Sequence, residues 1–363
     1  MGKSIEWIKS HPIPSFFILT LLSTFILLFP PVYLYRMGFT DHPLLQVLML
    51  YASRLAVYSP VLVGMLITWW ARPSRSLVST RKHWLSFVIV WIAALVISTL
   101  ELRGRIPQAS LGWMPLLVLS IPIAILPAFV VSSAFSRVAS LREYLSTLVR
   151  PRGNLFWYLF ALFIFPVVYI LGLAITQLLT GEPWLSNIQL SSEVLLATLI
   201  TFASVFFYSG GINEEGGWRG FAQRRLQAKY SPLVTNLFLW VYLVILHIPN
   251  DIVQYQDGNY LLIRIGLYPF IVLLFGWVYN RTRGSILAPA LFHASMNSMN
   301  VLGTVLPMTS AGSVLLVLLA VFAVLYDRMW KKLPKDHPAV YQESETASPL
   351  VGSEPIASEL TPV

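Results

Sequence analysis

Residues 155–179 read LFWYLFALFIFPVVYILGLAITQLL and contain no charged side chain. A helix rises ~1.5 Å per residue, so this run is long enough to cross the ~30 Å hydrocarbon core of a bilayer. Comparable apolar runs lie at 14–35, 44–70, 84–100, 113–134, 194–212, 232–249, 261–280, 285–306 and 311–330. This pattern predicts an all-α protein, a polytopic transmembrane helical bundle of about 8–10 spans.

The composition agrees with a membrane protein and excludes several other classes. Hydrophobic residues make up 56% of the chain and charged residues 11%, whereas roughly a quarter of an average soluble domain is charged. A transmembrane β-barrel would alternate polar and apolar residues over segments of about ten, and these runs do not alternate. The chain has no cysteine, which excludes a disulfide-stapled secreted domain and a thiol mechanism.

The net charge of +9 comes largely from loops between the apolar runs. The basic residues of four loops are Arg72, Arg75, Arg81 and Lys82, then Arg137, Arg142, Arg150 and Arg152, then Arg219, Arg224, Arg225 and Lys229, and finally Arg281 and Arg283. Alternate loops are sparse or acidic, with Glu182, Glu193, Asp251 and Asp257. The positive-inside rule therefore predicts that both termini are cytoplasmic. No basic stretch carries the interleaved aromatics expected of a nucleic-acid-binding surface, so we expect no nucleic-acid partner.

Ionisable residues inside apolar runs are informative, because hydrocarbon penalises each of them unless it has a partner or a function. Arg54 lies in the second run, where we expect a snorkelling or buried structural role. Residues 210–220, GGINEEGGWRG, place two adjacent carboxylates directly after another run. Glu215 and Arg219 share a helix face and can form an ion pair, which leaves Glu214 pointing elsewhere. The alternative is that both glutamates cap the wet end of a helix.

Three further polar side chains lie inside later runs. His247 lies about as far beyond the turn at 229–232 as Glu214 lies before it, so antiparallel helices would bring the two side chains to one depth. His293 and Asn297 are four residues apart on one helix face, and we expect them at a similar depth. The alternative for each histidine is a hydrogen-bonded core residue without chemistry.

These residues resemble three motifs of the CPBP family of intramembrane proteases, which includes type II CAAX prenyl endopeptidases and lysostaphin-resistance-protein-A-like proteins. The matching residues are Glu214, Glu215 and Arg219 for EExxxR, His247 for the second motif, and His293 and Asn297 for HxxxN. The motifs appear in the family's order between 194 and 306. One position departs from the pattern, because Leu243 stands where the second motif usually has phenylalanine.

The resemblance implies a peptidase that hydrolyses peptide bonds within the membrane. Carried over to this chain, it implies that Glu214 activates water as a general base with His247 beside it. It also implies that His293 and Asn297 stabilise the tetrahedral oxyanion.

The resemblance leaves the involvement of a metal open. Glu214, His247 and His293 are a candidate ligand set for zinc with an open fourth position. A glutamate bound to metal could not also be the free base, and Glu215 is expected to be committed to Arg219 as structural support. We therefore favour a glutamate mechanism without a cofactor, and a zinc-dependent mechanism remains the alternative.

The chain divides into four predicted parts. Residues 1–190 form transmembrane helices without an assignable motif, 191–306 a catalytic helix core and 307–330 a last transmembrane helix, while 331–363, rich in Pro, Ser and Glu, form a disordered cytoplasmic tail. The expected partners are the lipid bilayer and a membrane-associated peptide or protein, which the resemblance would extend to CAAX-type prenylated substrates. The expected location is the plasma membrane of a bacterium.

Two other functions stay open at this point. A non-catalytic membrane protein, such as a bacteriocin-immunity protein or a scaffold, would have no need of all four polar site residues. A proton-coupled transporter would use Glu214 and the histidines as a relay. The absence of an internal repeat and the presence of three motifs in order favour the protease.

Overall fold

A computed structural model describes residues 2–39, 43–71, 80–105, 112–186, 188–254 and 259–342. Within these ranges the chain is helical and forms no extended strand. The helices are α1 (Gly2–Ser10), α2 (Pro12–Arg36), α3 (Pro43–Ala71), α4 (Thr80–Arg105), α5 (Trp113–Ser133), α6 (Ala139–Val149), α7 (Leu155–Thr180), α8 (Ser192–Tyr208), α9 (Ile212–Glu215), a π-helix (Gly216–Gln223), α10 (Arg224–Leu226), α11 (Pro232–Gln254), α12 (Asn259–Gly266), α13 (Tyr268–Arg281), α14 (Leu287–Leu302) and α15 (Ser310–Tyr326).

The helices have the dimensions and surfaces of a membrane protein. In the described part of the chain, seven segments are long and apolar enough to cross a bilayer: Pro12–Arg36, Leu45–Ala71, Arg81–Gly104, Trp113–Ser133, Leu155–Thr180, Ser192–Leu226 and Pro232–Pro249. The apolar helix α15 is shorter, with 17 residues. Large apolar side chains such as Met114, Leu178 and Leu199 point outward, where lipid chains can contact them. The predicted all-α polytopic bundle is confirmed.

The predicted span at 261–280 is two helices. α12 ends at Gly266 and α13 begins at Tyr268, with Pro269 in its first turn. Proline has no backbone N–H and disfavours helical geometry at the residue before it, so a break falls at this position.

The predicted span at 84–100 belongs to a longer helix. α4 runs over Thr80–Arg105, so Arg81 and Lys82 lie in its first turn and not in a loop. Glu101, expected beyond the end of the span, is also helical and only 7% exposed. A carboxylate buried at this depth requires a partner from another helix.

The charged loops agree only in part with the sequence pattern. Asp251, expected in an acidic loop, lies within α11, whereas Arg72, Arg75 and Asp257 lie outside the described residues. Three of the basic loops meet at one end of the bundle, where Arg152, Arg224 and Gly284 line a single small cavity.

The first part of the C-terminal tail is packed, contrary to the disorder predicted from Lys331 onward. Ala339 and Val340 are buried, the Gln227 amide donates to the Ala339 carbonyl at 3.0 Å, and the Tyr341 N–H donates to the Arg224 carbonyl at 2.9 Å. The overall tail composition is polar, but this short segment has enough apolar surface to pack. Residues 343–363 lie outside the described part of the chain.

Candidate active site

The helical structure is interrupted just before the paired glutamates. α8 ends at Tyr208 and the next helix begins at Ile212, so residues 209–211 connect the two helices. Gly210 lies in this connection, residues 209–211, and has a φ of +133°. Side chains disfavour that backbone conformation, and glycine adopts it freely.

Gly210 also makes room for His293. A β-carbon at Gly210 would lie 2.2 Å from Nε2 of the His293 ring. The ring of a histidine on α14 therefore lies directly against the backbone of the connection. The glycine serves both the turn and the close approach of the ring.

Asn213 holds the connection in place from inside. Its Oδ1 accepts hydrogen bonds from the backbone N–H groups of Gly210 and Glu214, each at 3.0 Å. Asn213 is fully buried, and its Nδ2 has no hydrogen-bond partner among the described residues. The Asn213 side chain thus ties the connection to the first turn of the helix that carries Glu214.

The ion pair expected between Glu215 and Arg219 is present. Nε of Arg219 lies 3.0 Å from Oε2 of Glu215, and both side chains are almost fully buried. The other carboxylate oxygen, Oε1, accepts from Nδ1 of His293 at 2.9 Å. Glu215 therefore joins the first motif to the third, a role that the spacing within one helix did not indicate.

A ladder of buried amides continues from this ion pair. Nη1 of Arg219 donates to Oε1 of Gln223 at 2.8 Å and to Oδ1 of Asn236 at 2.9 Å. Gln223 donates in turn to Oε1 of Gln227 at 3.0 Å. Sequence reasoning missed these amides, although Glu215, Arg219, Gln223 and Gln227 recur every four residues. That spacing is the signal that could have found them.

Arg219 lies on a π-helix, Gly216–Gln223, that packs closely on α3. A β-carbon at Gly217 would lie 2.3 Å from Cβ of Pro60, and one at Gly216 would lie 2.7 Å from a methyl of Val61. The Tyr144 hydroxyl donates to the Gly216 carbonyl at 2.7 Å. Glycine lets the two helices approach, and the tyrosine satisfies a carbonyl in the wider helix.

His293 and Asn297 face the same connection, as their spacing predicted. Nδ1 of His293 is bonded to Glu215, so Nε2, beside Gly210, is the ring nitrogen that can contact substrate. Nδ2 of Asn297 donates to the Ser209 carbonyl at 3.5 Å, a long bond. An amide carries two N–H donors, so a second one remains for another acceptor.

His247 presents one defined nitrogen. Its Nδ1 lies 2.7 Å from the carbonyl of Leu243 on the preceding turn. A carbonyl only accepts, so Nδ1 carries the proton and Nε2 of the neutral ring is an acceptor. Leu243, the departure from the family pattern, is partly buried against the core.

Glu214 is half-buried at the start of this helical segment. Its carboxylate interacts electrostatically with His293 and with Glu215, and His293 also interacts with His247. Within the described residues no hydrogen bond joins Glu214 directly to His247. His293 therefore interacts electrostatically with both Glu214 and His247.

Trp218 faces the Glu214 carboxylate from four residues further along the chain. The indole is almost fully buried, between Phe16 and Tyr242. Its N–H has no hydrogen-bond partner of normal geometry in the described part of the molecule. An unpaired buried donor is costly, and this one lies beside a carboxylate.

A second buried charge lies near the site. Nη2 of Arg264 pairs with Oδ1 of Asp251 at 3.0 Å, and the Arg264 charge acts on both Glu214 and His247. Sequence reasoning placed Asp251 in an outer loop and did not consider Arg264. The signal for the pair was an acid and a base on successive apolar segments, but their pairing depends on how α11 and α12 pack.

The candidate zinc ligands Glu214, His247 and His293 are not gathered around one point. Among the described residues, no three His, Asp or Glu side chains come together in an arrangement that could hold a metal ion. Nδ1 of His293 is bonded to Glu215 and Nδ1 of His247 to a carbonyl, so only Nε2 of each ring could bind a metal. In this arrangement the described side chains of Glu214, His247 and His293 are not close enough together to form a zinc site.

One comparison with known proteins bears on this site. Residues 193–299, under a third of the 363-residue chain, match the family model described as Type II CAAX prenyl endopeptidase Rce1-like. The matched range includes all six site residues that the sequence motifs indicated: Glu214, Glu215, Arg219, His247, His293 and Asn297. No curated protein matches the chain.

Proposed function

We propose that the chain is an endopeptidase of the CPBP type acting on a membrane-associated peptide, and the match of residues 193–299 to the Rce1-like family model supports this. The observation that carries the proposal is the arrangement around Gly210. The connection brings Glu214, the Nε2 edge of His293 and the Asn297 amide to one place. A base and two donors are the groups that amide hydrolysis requires.

Glu214 acts as the general base. Its carboxylate takes a proton from water while the water oxygen attacks the carbonyl carbon of the scissile bond. The proton then passes from Glu214 to the departing amine nitrogen as the C–N bond breaks. The second water proton stays on the new carboxyl group and then moves to the amine, so the products are a carboxylate and an ammonium ion.

The indole of Trp218 holds the attacking water against Glu214. Its N–H is buried, faces the carboxylate and has no partner of normal geometry in the described residues. A water that contacts both groups would accept from the indole and donate to the carboxylate, which leaves an oxygen lone pair for attack.

His293 and Asn297 stabilise the oxyanion. In the imidazolium form of His293, Nε2 carries an N–H, and Glu215 at Nδ1 balances the positive charge. The Asn297 amide offers the N–H that is not directed to Ser209. Donors fixed in advance by Glu215 and by the connection stabilise developing charge without reorganisation.

His247 assists from the neighbouring helix. With Nδ1 held by Leu243, its Nε2 accepts a hydrogen bond from water or from the departing amine. Its neutral form requires no counter-charge in this apolar setting.

Two observations support a class of substrate. Lipid-facing helices around the site favour a substrate that reaches it from the membrane, and the Rce1-like domain favours a CAAX-type prenylated peptide. The prenyl chain would partition into the bilayer and deliver the peptide at the right depth.

The test uses the purified protein in lipid vesicles and a fluorogenic CAAX peptide, farnesylated or left unmodified. Glu214→Gln should lower kcat by about 100- to 10,000-fold, while Glu193→Gln, a change of an exposed carboxylate at the start of α8, should leave it unchanged. Cleavage of the farnesylated peptide alone supports the prenylated class, and cleavage of both supports a broader peptidase. Full activity in Glu214→Gln would refute the proposed base.

Metal content is measured on the same samples by mass spectrometry. Stoichiometric zinc in the active wild type, lost in Glu214→Gln, would replace the base mechanism with a metal mechanism. Activity without bound metal supports Glu214 as base. A wild type that cleaves neither these peptides nor a membrane-peptide library would overturn the protease proposal in favour of a non-catalytic role.

A further inference from the structure

Arg54 lies in α3, outside the residues that match the family model, and no motif includes it. Its side chain is 8% exposed within a helix that crosses the apolar bundle. The sequence offered no partner for it. The structure supplies two, one on α4 and one at the connection that precedes Glu214.

Separate nitrogens of the Arg54 guanidinium donate to the two partners. Nη2 of Arg54 lies 2.6 Å from Oε1 of Glu101 on α4. Nη1 donates to Oγ of Ser209 at 2.6 Å and, more weakly, to the carbonyl of Tyr208 at 3.4 Å. The planar fork of an arginine suits this use, since its donors are held in fixed directions.

Glu101 contacts the same segment from the other side. Its second oxygen accepts a hydrogen bond from Oγ of Ser204 on α8. Ser204 lies near the end of α8 and Ser209 directly follows that helix, so the Arg54–Glu101 pair holds this segment at two points. The ring of Tyr208 also stacks beneath the Arg54 cation, 5.3 Å away.

The segment from Ser204 to Ser209, which the pair contacts, is followed directly by the site. The carbonyl of Ser209 accepts from Nδ2 of Asn297 at 3.5 Å, and the next residue, Gly210, lies against Nε2 of His293. A line of contacts therefore runs from Glu101 through Arg54 and Ser209 to Asn297.

We propose that Arg54 is a positioning residue for the oxyanion donor Asn297, acting through Ser209. It sets the place of the Ser209 carbonyl, and with it the direction of the Asn297 amide. This inference rests on the proposed peptidase function, and it assigns a task in the site to the N-terminal helices.

Stability alone does not account for the pair. Replacing a buried ion pair by apolar side chains of similar volume is often neutral or stabilising, and charge is more strongly disfavoured in a membrane bundle. The contacts of the Arg54–Glu101 pair with the segment that precedes Glu214 give the pair a role in the site. Positioning within a fraction of an ångström strongly affects rate.

The experiment removes both charges together. Arg54→Met with Glu101→Met should leave Tm and KM nearly unchanged and lower kcat on the farnesylated peptide by about 10- to 100-fold. The matched control is Arg281→Met with Asp327→Met, an ion pair between α13 and the end of α15. That control should leave kcat unchanged.

A double-mutant cycle separates positioning from general damage. In an Asn297→Ala background the donor that Arg54 directs is already absent, so the Arg54→Met and Glu101→Met changes should lower kcat by less than about threefold. The same 10- to 100-fold loss in both backgrounds would overturn the inference. So would an unchanged kcat in the double variant of an active wild type.

Two further arms keep the inference testable. If the double variant does not fold, Arg54→Lys keeps a charge for Glu101 but has no second nitrogen for Ser209, and it should lower kcat with KM retained. Hydrogen exchange of residues 209–214 is read on the same proteins and needs no activity. Exchange there should rise about tenfold in the double variant, and unchanged exchange would overturn the inference even if no substrate is cleaved.

Discussion

Nδ1 of His293 donates to Oε1 of Glu215 at 2.9 Å, while the other oxygen of the same carboxylate accepts from Arg219 at 3.0 Å. A glutamate assigned to structural support within one helix thus also orients a histidine on another helix. The ring of His293 is held by this bond on one side and by Gly210 on the other. The two adjacent glutamates therefore have different tasks, one in chemistry and one in orientation.

Glu215→Gln should damage both stability and activity. The variant leaves the buried Arg219 without a counter-charge, and breaking a buried pair in this way costs about 3–5 kcal/mol. The loss of a charge beside His293 should also lower kcat about 10- to 100-fold. Thermal unfolding in detergent and steady-state kinetics measure the two effects, and an unchanged Tm would contradict the buried pairing.

Gly210→Ala should abolish most activity through a collision with the His293 ring. The control is Gly181→Ala, because Gly181 also has a positive φ, +75°, and nothing lies within 4 Å of its added β-carbon. Both variants carry about 1–3 kcal/mol of backbone strain, but only Gly210→Ala displaces a site residue. We expect a loss in kcat of about 100-fold for Gly210→Ala alone, and equal losses in the two variants would contradict the close approach.

Trp218→Phe tests the indole donor with little change in packing. The phenyl ring retains the edge contacts with Phe16 and Tyr242. Because the N–H has no protein partner of normal geometry, Tm should not fall, whereas kcat should fall about three- to tenfold through loss of the bond to water.

The control for this change reverses the expected pattern. Nε1 of Trp277 donates to Oδ2 of Asp327 at 2.7 Å, at a point with no site residue. Trp277→Phe should therefore lower stability by about 1–3 kcal/mol and leave kcat unchanged. A Trp218→Phe variant with full activity would show that the indole does not hold the attacking water.

Packing of the tail should weaken in acid. Burial and the nearby Arg283 guanidinium lower the pKa of His337, with Asp336 opposing. The His337 Nδ1 also accepts from the Ala339 N–H at 3.2 Å, a bond that protonation of Nδ1 breaks. The released tail binds the proton more readily than the packed tail, so packing is favoured above the ordinary histidine pKa and weakens as pH falls below it.

Hydrogen exchange of residues 331–342 between pH 7.5 and 5.5 measures this effect, after correction for the intrinsic rate. The His337→Asn variant keeps a side-chain acceptor and does not titrate in this range, so its exchange should show a flatter pH dependence. An identical dependence in the two proteins would exclude His337 as the titrating group.

Much of the fold was readable from local patterns. Apolar length located the helices at 14–35, 113–134 and 155–179 to within about two residues of their ends, because lipid demands long apolar surfaces. Pro269 is a local indication of the helix break near it, but the break was not predicted because the residues around it form one apolar run. The packed segment at 331–342 was hidden by the polar composition of the whole tail.

Among the site residues, spacing within one helix predicted the Glu215–Arg219 pair and the shared face of His293 and Asn297, since neighbours at i and i+4 are set by helix geometry. The partners of Arg54 could not be obtained in that way. Glu101 is 47 residues away and Ser209 is 155 residues away, on helices whose packing no local pattern specifies.

The amino-acid order alone thus established the membrane class, the helical segments and the identity of the motif residues, because each depends on composition or on spacing within one element. Packing between distant helices determined the bond from His293 to Glu215, the close approach of Gly210 to His293 and the partners of Arg54. Those contacts join groups that are far apart in the chain and meet only once apolar surfaces and close-packed glycines have fixed how the helices cross.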